Sequence, residues 1–368
     1  MTSPVADSPG IDTEEQAALR SSVRDLLKRH SDSAAVRKAM ETEARYDTAL
    51  WTRLCQEIGV AALAIPERFE GVGASFMECH VVQEELGRTL TPSPMLGSAV
   101  LATQALLISG DAAACSRLLP GIADGDSTVA VCWAGTAGWD SPGVHVQDGA
   151  LSGTAHYVLD GDHADALLVL AVDEHVVTLY EVPVDAEGLT RAAQPSMDPT
   201  RGLSTVTFDA VSGTALSTPE DLMERLTTAA IVAVSAEQVG AAQAALDLTV
   251  AYTKDRRQFG RQIGSFQALK HRMADMYVLV ETARSISYAA AGAYANNAAD
   301  AFELAATAKV YCSEAFSAVA GETIQLHGGI GITWEHDAQL YFKRAHGSSQ
   351  LFGQPSDHLV RMATMTGL

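Results

Sequence analysis

The chain has 368 residues, 47% hydrophobic and 19% charged, an ordinary globular balance that suits two or three domains or one compact multi-layer unit. A formal net charge of -20 argues against a nucleic-acid surface and against docking on anionic lipid, both of which want clustered Lys and Arg. It leaves room for a phosphate-bearing small molecule, which a few placed arginines can hold.

Five cysteines stand at positions 55, 79, 115, 132 and 312. None forms a CxxC pair, so neither a zinc site nor a redox dithiol is expected, and the scattered odd count fits a reducing cytoplasm. The N-terminal residues show no apolar signal core. The richest apolar run, Ala229 to Val234, is far short of a membrane span.

Residues 1–10 read as an unstructured lead-in. Thr13 and Gln16 form a capping-box signature that opens a helix to about His30. Apolar periodicity predicts further helices over roughly 47–58, 75–89, 97–109 and 111–119, punctuated by Pro66, Gly71, Gly73, Pro92 and Pro94. From Ser127 to about Thr214 the texture changes to short β-rich runs: Thr128–Cys132, Ala155–Leu159, Ala166–Ala171, His175–Val182 and Thr205–Asp209. Gly and Asp separate them, which predicts a small antiparallel barrel or sandwich. Helical periodicity returns near Pro219. One long helix is expected over 219–254, rich in small residues that permit close packing, and others near 264–295, 299–327, 336–350 and 355–366. The expected architecture is α+β: an N-terminal helical domain (1–122), a middle β domain (123–218) and a C-terminal four-helix bundle (219–368).

Two segments carry a resemblance. Arg256-Arg257-Gln258-Phe259-Gly260 is followed by Phe266-Gln267, and later comes Gln325-Leu326-His327-Gly328-Gly329-Ile330-Gly331. Both resemble the third domain of the acyl-CoA dehydrogenase family. Ile65-Pro66-Glu67, Gly71-Val72-Gly73 and Glu84-Glu85-Leu86-Gly87-Arg88 look like its first-domain pattern, and Asp198-Pro199-Thr200-Arg201 like the strand closing its middle domain. The order of helix block, β block and helix block is the order of that fold. The resemblance implies FAD as cofactor. Arg256 would contact its pyrophosphate across a subunit interface, a task suited to a planar, permanent charge. Phe259 and Gln267 would lie against the cofactor, and Gln325, Gly328 and Gly329 against its ADP half. Glycines there let the backbone approach phosphates.

The family's chemistry also needs a carboxylate to take the substrate α-proton while a hydride passes to the flavin. The commonest base lies in a C-terminal Glu-Gly-Thr, where this chain reads Leu351-Phe352-Gly353-Gln354. The alternative position, on the long helix before the RxxFG segment, is Ala230. Neither is acidic, and losing a general base costs roughly 10²–10⁴-fold in rate. Glu237, about two turns past Ala230, is the one nearby candidate; its plainer role is a structural partner to an arginine. The family's flavin loop appears as Trp133-Ala134-Gly135-Thr136-Ala137-Gly138-Trp139-Asp140, with Trp133 and Trp139 where small polar residues stand. Leu159 likewise offers the flavin no hydroxyl.

The chain thus resembles the non-catalytic subunit of actinobacterial α2β2 acyl-CoA dehydrogenases. The resemblance implies a related partner subunit with the catalytic Glu and the flavin-ring pocket. It also implies a bulky acyl-CoA substrate, such as a steroid side-chain thioester, and an electron-transfer flavoprotein as acceptor. Two readings stand beside it: a self-sufficient enzyme using Glu237, and a flavin-poor structural protein on the same fold. His327 beside the glycine pair reads as a capping or surface histidine, with contact on the adenine side as the other reading, and Arg344 and His346 are left unassigned.

Overall fold

The computed structural model describes residues 12–366, so the predicted lead-in lies outside the described residues. The predicted capping box is present. Thr13 Oγ1 accepts from the Gln16 N–H, the Gln16 side chain accepts from the Thr13 N–H, and α1 (Glu14–His30) follows. Then come α2 (Ser33–Met40), α3 (Thr48–Arg53) with a π-helical continuation (Leu54–Ile58), and α4 (Phe76–Thr89). A π-helical run, Met95–Ala102, leads into α5 (Thr103–Ser109), and α6 (Ala112–Asp124) ends the block. The sequence does not foretell α2, which is short and capped by Asp32.

Twelve short strands are assigned among the described residues. Those that build the main sheet are β1 (Val129–Cys132), β4 (Val144–Gln147), β5 (Ala150–Leu159), β6 (Ala166–Asp173), β7 (Val176–Pro183), β8 (Leu189–Ala193), β9 (Leu203–Val211) and β10 (Thr214–Ala215). Between the first two, β2 (Ala134–Gly135) and β3 (Gly138–Pro142) form a separate small hairpin. The strand order is β10-β7-β6-β4-β5-β9-β8, with β1 also on β6. Here the expectation of a purely antiparallel sheet fails. β1 and β4 each run parallel to β6, at Ala166–Val169 and Ala171–Val172 respectively. Alternation of apolar residues reports which face is buried, not the direction of the neighbour. The inner face packs Val144, Leu151, Leu167, Val169, Val206 and Phe208 into a core of its own.

The last block is α7 (Leu222–Asp255), the hairpin β11 (Arg257–Gln258) and β12 (Arg261–Gln262), α8 (Gln267–Ala295), α9 (Ala301–His327), α10 (Ala338–Gln350) and α11 (Pro355–Thr366). By length and composition α7 could cross a membrane, but 89% of its most apolar window is buried in this fold. It packs on α4, α8 and α9. Glycine makes the α4 contact possible. A Cβ on Gly87 would collide with the Glu237 carbonyl, and one on Gly240 with the Glu84 carbonyl. The two helices therefore touch backbone to backbone, which fixes where the side chains of Glu84 and Glu237 point.

Candidate active site

The residues expected at the nucleotide end of the cofactor come together at one end of the helical bundle. The C-termini of α7 and α9 meet there. The Tyr252 ring stacks on His327 at 4.3 Å, and Tyr252 Oη donates to the His327 carbonyl at 3.3 Å. Thr253 Oγ1 reaches Met273 Sδ at 3.4 Å, bringing in the start of α8. Arg256 follows one turn after Tyr252, and Gln325, Gly328 and Gly329 lie at the end of α9. All four are exposed, as are Gln267 and, at 91%, Phe259. A Cβ on Gly328 or Gly329 would meet nothing within 4 Å, so the backbone there is open to a close-lying ligand. A guanidinium, two amides and bare backbone suit a pyrophosphate and its sugar. His327 is not a surface residue: it is buried, its Nδ1 sits 2.7 Å from the Thr323 carbonyl, and its ring joins the two helix ends.

The residues expected at the flavin ring also come together, and they fill the space. Trp133 and Phe352 are each 2% exposed, with ring centroids 6.1 Å apart. Trp139 lies 4.7 Å from Phe352 and 5.5 Å from Trp133, and Tyr157 stacks on Trp139 at 6.2 Å. The Trp133 indole N–H donates to the Trp139 carbonyl at 3.1 Å, which ties the loop to itself. The far side is equally fixed. Fully buried Lys309 donates to the Ser348 and Ser349 carbonyls at 2.8 and 3.1 Å, at the end of α10 from which Phe352 hangs. Burial pushes its pKa down to about 7. His358 Nε2 sits 2.9 Å from the Phe352 carbonyl, and Arg361 pairs with Asp140 across the loop. The flavin-loop indoles and the residue at the base position thus form one aromatic plug. The rings of Trp133, Trp139 and Phe352 pack on one another, and none of these three side chains can act as a base.

The other base positions fare no better. Ala230 is buried in the same apolar core as Trp133 and Phe352, as is Leu159, the residue expected to lack a hydroxyl for the flavin. Glu237 is buried, and its Oε1 accepts from Arg344 Nη1 at 2.7 Å and from Arg201 Nη2. Arg344 also donates through Nε to Asp198 Oδ2 at 2.7 Å and through Nη2 to the Thr200 carbonyl at 2.8 Å. Burial alone would raise the Glu237 pKa. The charges and hydrogen bonds of Arg201 and Arg344 outweigh it and hold the carboxyl at about 2. Such a group is too weak a base for a substrate α-proton. Glu237 is a structural ion-pair partner, and Arg344, unassigned from the sequence, is one of its two holders. His346 stays exposed, its Nδ1 3.1 Å from the Phe342 carbonyl.

Two family models match the chain. The acyl-CoA dehydrogenase N-terminal domain matches residues 13–126 and the C-terminal domain residues 221–356. Acyl-CoA dehydrogenase IpdE2 of Mycolicibacterium smegmatis is 42% identical over 354 residues, covering 95% of this chain and 98% of that one. The chain belongs to the acyl-CoA dehydrogenase family. Members are FAD-dependent oxidoreductases. Among solved structures, the ChsE4-ChsE5 complex from Mycobacterium tuberculosis superposes with a TM-score of 0.90 at 27% identity, covering 97% of this chain and 98% of that one. The Tcur3481-Tcur3483 steroid acyl-CoA dehydrogenase gives 0.88 at 30% identity, covering 96% and 98%. In this acyl-CoA dehydrogenase Arg256, Gln325, Gly328 and Gly329 are thus exposed, whereas Trp133, Trp139 and Phe352 pack on one another.

Proposed function

We propose that this chain is the non-catalytic half of a two-chain acyl-CoA dehydrogenase acting on bulky, steroid-type acyl-CoA thioesters. The observation that carries the reading is the plug: Phe352, Trp133 and Trp139 occupy one another where a carboxylate and a flavin ring would have to be. In the assembly, Arg256, Gln267, Gln325, Gly328 and Gly329 hold the nucleotide end of an FAD whose ring sits in a related partner subunit. That partner supplies the carboxylate that takes the substrate α-proton. Bound FAD supplies the hydride acceptor, and an electron-transfer flavoprotein takes the electrons onward. Two findings support the partner and the substrate class. One structural relative is a complex of two named chains, and another is described as a steroid enzyme.

The test is the flavin-to-chain ratio of the protein purified alone and co-purified with a related subunit, each mixed with a panel of acyl-CoAs. The expected result is little flavin alone, and near one FAD per two chains, bleached by substrate, in the complex. One FAD per chain in the isolated protein, bleached by an acyl-CoA, overturns the reading.

A further inference from the structure

The last turns of α7 and α9 are joined by more than packing. Arg256 donates its N–H to the Tyr252 carbonyl at 2.9 Å, and Tyr252 Oη donates to the His327 carbonyl at 3.3 Å. The next residue is Gly328, whose φ of 64° begins the open glycine turn. One tyrosine thus holds both segments that face the cofactor, one through its backbone and the other through its side chain.

The His327 ring completes the joint. It is 4% exposed and lies between Tyr252 at 4.3 Å and His336 at 4.4 Å, centroid to centroid. Hydrogen bonding fixes its proton. A carbonyl only accepts, so the Nδ1 that sits 2.7 Å from the Thr323 oxygen carries the hydrogen, and Nε2 holds the lone pair. That Nε2 is buried with no partner among the described residues. The neighbouring ring is fixed as well: His336 Nδ1 accepts from the Ala338 N–H at 3.2 Å, at the positive end of α10. Asp337 and Arg37 of α2, paired at 2.7 Å, are the charges that act on His336. A proton on His327 Nε2 is therefore a buried charge with no acceptor, facing a second imidazole. Burial and His336 hold His327 below its ordinary 6.5, against the upward pull of the Thr323 carbonyl.

We propose that His327 is a positioning residue for the nucleotide end: as a neutral ring it keeps Arg256 and the Gly328-Gly329 turn in register through Tyr252, and on protonation it leaves the stack and lets them part. The released ring binds the proton better than the stacked one, so cofactor retention is complete above about 6.5 and is lost as pH falls below it. A histidine that served instead as a cation for the phosphates would have the opposite sign, because acid would tighten the cofactor.

The inference rests on the shared-cofactor reading, and the test separates the two. FAD affinity of the co-purified complex is measured by flavin fluorescence from about pH 8 down to about pH 5.5, across the ordinary histidine range. The wild-type complex should weaken by about tenfold, one decade for the unit below 6.5. His327→Asn keeps an N–H for Thr323 and cannot titrate, so its profile should be flat whatever its absolute affinity. Tyr252→Phe keeps the stack and loses the bond to the His327 carbonyl, and should weaken FAD about fivefold at every pH. A wild-type complex that holds flavin with a flat profile overturns this inference alone. So does an acid limb that survives His327→Asn, tighter binding in acid, or unchanged affinity in Tyr252→Phe. A complex that holds no flavin at any pH overturns the shared-cofactor reading, and this inference with it.

Discussion

A carboxylate at position 352 would lie buried between two indoles, with Trp139 at 4.7 Å, while Lys309 and His358 are already engaged by backbone carbonyls and Arg361 by Asp140. Burying an unpaired charge costs several kcal/mol or shifts the group to its neutral form. Phe352→Glu is therefore expected to destabilise the chain by about 3 kcal/mol or more, and to give no substrate bleaching in the isolated protein. Urea unfolding and acyl-CoA titration check this, and restored bleaching would show that a single residue, not the whole plug, silences the site. Two other carboxyls set the pH response, with opposite signs. Glu237 lies at about 2 when folded against an ordinary 4.5, so its contribution is complete above about 4.5 and lost as pH falls toward 2. Asp160 is pushed up to about 7, mainly by burial and further by Asp162, while Arg201 and Arg45 pull it down. Its protonated form suits the fold, so stability is complete below its ordinary 3.8 and falls as pH rises through about 7. Melting temperature against pH should thus decline on both sides, and Asp160→Asn should flatten the alkaline limb alone. An unchanged alkaline limb in that variant would remove Asp160 as its cause.

Among the elements, helices were the most legible. The Thr13 capping box and the long apolar periods from Leu222 onward act through contacts close in sequence, so local spacing reports them. Sheet direction was not legible, because β1 reaches β6 only after β2 to β5 intervene. The hairpin after α7 shows what a local motif does carry. Arg256 closes α7 by donating its N–H to the Tyr252 carbonyl at 2.9 Å and accepts from the Ile263 N–H at 2.9 Å, while its side chain stays exposed. The backbone does the structural work, so Arg256→Ala should leave stability within about 0.5 kcal/mol. Loss of a charge-assisted hydrogen bond to phosphate should still weaken FAD retention in the co-purified complex by about tenfold or more. Flavin content after gel filtration measures this. An unchanged content would take Arg256 out of the cofactor site.

At the scale of the whole molecule, the contiguous motifs were readable and the long-range meetings were not. RxxFG and HGGxG are strings, whereas Phe352 on Trp133, or Arg201 and Arg344 on Glu237, exist only after folding. The same fold leaves large apolar side chains uncovered around the nucleotide end: Phe259 at 91% exposure, Ile332 at 71% and Trp334 at 61%. Lys343 lies over the Trp334 ring at 4.0 Å, which covers only one face. Apolar groups grouped beside Arg256 and the open glycines are what a subunit interface presents before assembly. If the partner covers this end, a charge there must be desolvated on association, whereas in the free chain it stays in water. Trp334→Asp should therefore leave the unfolding of the isolated chain nearly unchanged, yet weaken co-assembly with the related subunit by about 2 kcal/mol or more, roughly thirtyfold. Sedimentation velocity over a concentration series reads that difference. Unaltered assembly would move the interface to another face of the molecule and detach the exposed glycine turn from any shared cofactor.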